Sequence, residues 1–148
     1  MKKFKVLDIS GDVGLKAFGK SINEVFTNAA IGMYSLITNL RTIKKEKTIN
    51  VSIKNDSIEG LLVSWLNELI FHFDAYGFIG KRIVINELIL GNDQPAGLQA
   101  CGLKASITGE DFDPKRHESK LLIKAATYHN LRIEKVGNMW EADVIFDI

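Results

Sequence analysis

The sequence predicts an α+β fold in which mainly antiparallel sheets pack with two main helices. Three observations predict it. Two segments, opening at Ser21 and near Asp56, carry apolar residues at helical spacing behind capping side chains. Much of the remainder alternates apolar and polar residues with the period of a half-buried strand. The strands come in runs before, between and after the helices, and no phosphate loop or dinucleotide fingerprint follows any of them, which argues against a doubly wound α/β sheet.

Taken in order, Lys3–Ile9 and Val13–Gly19 read as strands joined by the tight connection Ser10-Gly11-Asp12. The first helix opens with the capping box Ser21-Ile22-Asn23-Glu24. Its buried face is Ile22, Val25, Phe26, Ala29, Ala30, Met33 and Ile37. A strand at Thr48–Lys54 precedes the second helix, which starts near Asp56-Ser57-Ile58-Glu59, with Asp56 as cap and Glu59 reaching back. That helix buries Ile58, Leu61, Leu62, Trp65, Leu66, Leu69, Ile70 and Phe73, and ends near Tyr76-Gly77, where glycine permits the left-handed turn. Strands follow at Arg82–Leu90, Leu98–Thr108, Lys120–His129, Leu131–Val136 and Trp140–Ile148. In the last, Trp140, Ala142, Val144, Phe146 and Ile148 alternate with Glu141, Asp143, Ile145 and Asp147.

A chain of 148 residues, 46% of them apolar, fits one domain over 1–148 with a sizeable core. Its 19 basic and 18 acidic side chains leave a net charge of +1, so no nucleic-acid or membrane partner is expected. The short clusters Lys2-Lys3-Phe4-Lys5, Lys44-Lys45 and Lys115-Arg116 read as solvated surface. The single cysteine, Cys101, excludes an internal disulfide and a multi-thiolate zinc site, and reads as a small core residue. No run reaches transmembrane length and the first residues lack the pattern of a signal peptide, so the expectation is a cytoplasmic protein.

Nucleophile elbows, closely spaced histidine pairs and Cys–His arrangements are absent from the sequence, and no catalytic residue is assigned. His72 reads as a helix-surface or rim residue. His117 and His129, which bracket Lys124, read as structural or partner-facing. The candidate chemistry is carboxylate-based: Asp8 at a strand end, Asp12 in a turn and Asp147 next to last. Hard divalent cations require several oxygen ligands of this kind. These residues converge only if the first and last strands are neighbours; otherwise a turn aspartate simply bonds its own backbone.

Four blocks in order resemble the archease family over essentially the whole chain. They are Asp8-Ile9-Ser10-Gly11-Asp12-Val13-Gly14 with Ala17-Phe18-Gly19 and the helix carrying Glu24, Phe26 and Ala29-Ala30; Gly109 to His117; Ile123-Lys124-Ala125-Ala126-Thr127-Tyr128-His129; and Trp140 to Ile148. The resemblance implies an archease-like sandwich with the first and last strands close together. It implies a non-enzymatic accessory protein of the tRNA-splicing ligase that joins a 3′-phosphate or 2′,3′-cyclic-phosphate RNA end to a 5′-hydroxyl end. Such a protein promotes the ligase's guanylylation and multiple turnover. It further implies a Ca²⁺, Mg²⁺ or Mn²⁺ site built from Asp12, Asp147 and an oxygen of Ile148. Asp8 itself reads as a ligand, a support to those ligands or a simple turn residue, and Lys124, which matches a position of functional weight in the family, is expected to contact the ligase or a nucleotide phosphate. The family usually carries His-Thr-Ala where this chain has Ile9-Ser10-Gly11, a difference that bears on metal preference and on the partner. The competing expectations are a stand-alone metal-dependent phosphohydrolase and a chaperone-like modulator of other proteins.

Overall fold

The computed structural model describes residues 2–91 and 100–148. Among the described residues eleven elements follow one another: β1 (Phe4–Ile9), β2 (Asp12–Gly19), α1 (Ile22–Ile37), a 3₁₀ turn at Leu40–Thr42, β3 (Lys47–Asn55), α2 (Ile58–Tyr76), β4 (Phe78–Ile89), β5 (Cys101–Asp111), β6 (Ala125–Ala126), β7 (Arg132–Val136) and β8 (Met139–Asp147). All pairings are antiparallel. One sheet has the order β1-β2-β8-β6, with β7 beside β6 on the same edge of β8; the other has the order β3-β5-β4. The α+β class and the two main helices are therefore as expected.

Each helix touches both sheets. α1 packs on β1, β2 and β8 and also on β4, while α2 packs on β3, β4 and β5 and on the β6–β7 edge. This explains why α1 buries Val25, Phe26, Ala29, Ala30, Met33, Tyr34, Leu36 and Ile37, more than a single stripe would supply. The helices contribute to one continuous core, and the buried Trp65 indole donates to the Phe26 carbonyl at 3.0 Å to join them. Cys101 is buried in the same core, as read from the sequence, and burial pushes its thiol pKa up.

The helix ends are set by local chemistry. Ser21 Oγ accepts from the Glu24 amide, and Glu24 reaches back to the Lys20 amide at 2.7 Å. The second cap is Ser57, not Asp56: its hydroxyl accepts from the Gly60 amide at 3.0 Å. Asn55 Oδ1 takes the Asp56 and Ser57 amides, the task expected of Glu59. Gly77 ends α2 at φ +70°, donating to Phe73 O, and β4 starts on the next residue.

Three strands differ from expectation. β4 starts at Phe78, four residues before the predicted Arg82, because α2 ends at Gly77 and hands the chain straight to the sheet. β5 runs on to Asp111, and the predicted start at Leu98 lies outside the described residues. Lys120–His129 is not one strand, since only Ala125–Ala126 pairs in the sheet. Upstream of that pair, the Lys120 and Leu121 amides donate to Ile37 O and Leu36 O, carbonyls left without partners at the end of α1.

Candidate metal and partner site

The candidate site lies where three elements end together. Ser10-Gly11 forms the loop of the β1–β2 hairpin, with Gly11 at φ +80° supplying the left-handed second position of a type II turn. Asp12 is thus the first residue of β2. Val13 pairs with Phe146, so the next position outward sets Asp12 across from Asp147. Directly opposed residues in such a ladder have Cβ atoms about 4.5–5.5 Å apart. On the other side of β8, Ala125 pairs with Asp147, and the Lys124 amide donates to Asp147 O at 2.8 Å. The topology therefore brings Asp12, Asp147, Ile148 and the Lys124 backbone to one corner.

Asp8 is near but out of phase. It pairs with Val13, whose side chain is buried, and so shares the face of Val13 and Phe146 while Asp12 and Asp147 have the opposite one. Asp147 and Ile148 are exposed and Asp12 is half-buried. Among the described residues, no basic side chain lies within ion-pair distance of Asp12 or Asp147. Two cations on that face, Lys16 and Arg132, are engaged with other carboxylates. Lys16 and Arg132 flank Asp143 at 3.1 and 2.8 Å, and Arg132 also holds Glu141 at 3.0 Å. Burial would raise the Asp143 carboxyl, but hydrogen bonds from Arg132 and Lys16 outweigh it and hold it low.

Two unneutralised carboxylates facing each other across a ladder repel. Together with an Ile148 oxygen they form an all-oxygen set, which fits a hard divalent ion by its chemistry. Among the described residues, no three His, Cys, Asp or Glu side chains gather as a metal-holding group. A set of two aspartates and a backbone or terminal oxygen would not count as one.

Lys124 is exposed and lines an open groove with Asn67, Ile70, Phe71, Asp74 and Ala75. Its backbone is held by a residue the sequence reading missed. Asn67 accepts from the Ala126 amide at 2.8 Å and donates to the Ala126 carbonyl at 3.2 Å, clamping the segment to α2. The available signal was a polar amide inside an otherwise apolar helical run.

His117 is structural, as one of the two readings held. It is buried, its Nδ1 accepts from the Asp113 amide at 2.8 Å, and its Nε2–H therefore faces Glu110 Oε2 at 3.2 Å. Glu110, only 2% exposed, also takes the Lys44 amide and the Arg116 guanidinium. The Arg116 hydrogen bond and the Lys44 amide outweigh desolvation and hold the Glu110 carboxyl at about 2. His129 is exposed, and His72 pairs with Glu68 at 3.3 Å on the rim of α2.

Fold and site together define a two-sheet α+β protein with a half-buried and an exposed aspartate at the shared end of its second and last strands. The model of the Archease protein family (MTH1598/TM1083) matches residues 4–148. Protein archease of Sulfurisphaera tokodaii is 28% identical over 148 residues, covering all of both chains. The solution structure of Methanobacterium thermoautotrophicum protein 1598 superposes with a TM-score of 0.80 at 28% identity over the whole of both chains. The crystal structure of an archease, possible chaperone, from Thermotoga maritima shares the fold, with a TM-score of 0.64 at 19% identity over 97% of this chain and 96% of that one. The chain belongs to the archease family. These relatives bear the names of proteins or a possible chaperone, not of enzymes. No helix among the described residues is long and apolar enough to cross a membrane.

Proposed function

We propose that this protein is a metal-binding accessory factor that activates an RNA ligase joining 3′-phosphate or 2′,3′-cyclic-phosphate ends to 5′-hydroxyl ends. It acts by promoting the ligase's guanylylation and turnover in tRNA processing in the cytoplasm. The observation that supports the reading is the β2–β8 ladder: its last pair, Val13 with Phe146, leaves Asp12 and Asp147 flanking it at one end, with no basic side chain in ion-pair reach of either among the described residues. Asp12, Asp147 and Ile148 would hold Ca²⁺, Mg²⁺ or Mn²⁺ through oxygen, and the ion would add positive charge for a nucleotide phosphate. Lys124, whose backbone meets that corner and whose exposed side chain lines the groove along α2, contacts the phosphate or the ligase as a point charge. The test is guanylylation of purified ligase with and without the protein. Asp12→Ala, and a variant lacking residues 147–148, should each abolish the stimulation while retaining the wild-type fold by circular dichroism. Stimulation undiminished in both variants sinks the proposal.

The chaperone-like reading is favoured by one observation. Phe71, Tyr76 and Tyr128 are 51%, 64% and 62% exposed, and Phe71 and Tyr128 line a common groove beside α2. It predicts suppression of aggregation of an unfolding client that Phe71→Ser/Tyr128→Ser removes and Asp12→Ala leaves alone.

A further inference from the structure

The near-neutral charge of the chain conceals a strong asymmetry. The segments 41–47, 81–82 and 110–120 hold nine of the 19 basic residues and five of the 18 acidic ones. They are net +4, while the rest of the chain is net −3. Far apart in sequence, these segments are fastened together by two local devices. The first is the buried Glu110 carboxylate, which binds the Lys44 amide from one basic segment and the Arg116 guanidinium from another. The second is the β-bulge between Gly80 and Arg82. It takes Lys81 out of the ladder and lets its ammonium reach the Ile43 carbonyl at 3.0 Å, beside Lys44.

Three of the five acidic side chains in these segments are tied up, while Glu46 and Glu118 stay exposed without an ion pair among the described residues. Glu110 is buried against Arg116, and Asp111 pairs with Lys47. Asp113 turns its Oδ1 back onto the Lys115 amide. Arg41, Lys44, Lys45, Arg82 and Lys115 remain exposed, with no carboxylate in ion-pair reach among the described residues.

The surface continues into neutral hydrogen-bonding groups. Arg82 pairs with Thr108, and Thr108 with Thr48, on the open face of the three-stranded sheet. There the Thr48 and Thr108 hydroxyls lie 2.9 Å apart, and Asn86, Ser106 and Asn50 form a chain of 3.0 and 2.9 Å bonds. Cationic side chains interleaved with hydroxyls and amides are what phosphodiester oxygens bind. A protein interface would need an apolar centre. Large hydrophobic side chains exposed among the described residues are absent from the three segments, and the adjoining sheet face carries Val84 across from Ser106.

We infer that this surface binds the phosphodiester backbone of nucleic acid, taken as RNA on the ligase reading proposed above, without base readout, at a site separate from the Asp12–Asp147 corner. The inference does not rest on the metal reading, so either can fail alone.

The test uses the full chain and a fluorescein-labelled RNA hairpin of about 20 nucleotides, read by fluorescence anisotropy. With about four phosphates neutralised, affinity should fall about 50- to 150-fold between 50 and 200 mM salt. Lys44→Glu/Lys45→Glu/Lys115→Glu should weaken binding more than tenfold at 50 mM salt and flatten the salt dependence. Lys5→Glu/Lys54→Glu/Lys135→Glu, an equal change of net charge elsewhere on the exposed surface, should weaken it less than threefold. Asp12→Ala should bind as wild type does. The inference is overturned by absence of binding at 50 mM salt or by equal losses in the two triple variants. It is also overturned by displacement of the RNA by polyglutamate at matched charge, which would make the surface a site for acidic protein.

Discussion

Replacing Glu110 by glutamine tests whether one buried carboxylate fastens the basic segments. Its carboxyl titrates at about 2 in the fold against an ordinary value of 4.5, a difference worth about 3 kcal/mol in favour of the ionised state. The principal partner, Arg116, is 41% exposed, and water screening there reduces the usable stabilisation to about 1–2 kcal/mol. The folded value lies below the unfolded one. The contribution is therefore complete above pH 4.5 and is lost as pH falls towards 2. Glu110→Gln keeps the shape and an acceptor for the Lys44 amide but removes the charge. At pH 7 the variant should unfold about 4–8 °C lower than wild type, at about 4 °C per kcal/mol for a chain of this size. Because other carboxylates titrate alike in both proteins, the difference between them isolates Glu110, and it should shrink to less than half by pH 3. The assay is urea unfolding followed by circular dichroism at pH 7, 5, 4 and 3. A gap that stays constant over that range, or a variant as stable as wild type at pH 7, would refute the reasoning.

Three further outcomes follow from the same geometry. Asn67→Ala removes both bonds to Ala126 and should cost about 2 kcal/mol, with faster hydrogen exchange at the Ala126 amide as the local readout. Gly109→Ala would bring a methyl to 1.9 Å from Ile79 O and 2.8 Å from Gly80 Cα. It should destabilise by more than about 3 kcal/mol in equilibrium unfolding, since backbone must move to admit it. Asp12→Asn relieves like-charge opposition across the ladder, so metal-free protein should gain a few tenths of a kcal/mol. In Mn²⁺ at 100 times the dissociation constant, wild type should gain about 2.7 kcal/mol and overtake the variant. Thermal melts with and without the ion check this reversal of order.

The residues themselves reveal the helices and the long strands, because periodicity and capping are local properties. Ser21, Gly77 and the two apolar faces were readable for that reason. Where two good caps adjoin, as at Asp56-Ser57, the outcome turns on a neighbour: Asn55 takes the Asp56 amide and leaves the cap to Ser57. The run from Leu121 to Ala126 is apolar enough to resemble a strand, yet its first amides go to the end of α1, a partner more than 80 residues away that no local pattern reveals. The alternation of β8 was visible, but its pairing with β2 was not, and the convergence of Asp12 with Asp147 was expected only from the resemblance. Net charge hides its distribution for a different reason. A total of +1 averages over a net +4 surface that the chain assembles from three separate segments.

The stretch between β5 and β7 makes a physical demand that regular structure does not meet. It carries Arg116, His117, Lys120 and Lys124 but contributes only two residues to a ladder, so its backbone groups must find partners elsewhere. They do so at short intervals. Phe112 bonds Gly77 O, Asp113 bonds His117, and Lys120 and Leu121 close the end of α1. Lys124 and Thr127 bond β8, and Ala126 is held by Asn67. Apart from the internal Asp113–His117 bond, the ties reach α1, α2 with its Gly77 cap, and β8, so most of this irregular segment is fixed by the scaffold, as functional loops commonly are. The ties are also separable. Loss of Glu110 should loosen the part bearing Arg116 and leave Lys124 at its corner, whereas loss of Asn67 should do the reverse. The two ends of one segment therefore belong to two surfaces with independent stabilities, and amide exchange measured on both variants would resolve them residue by residue.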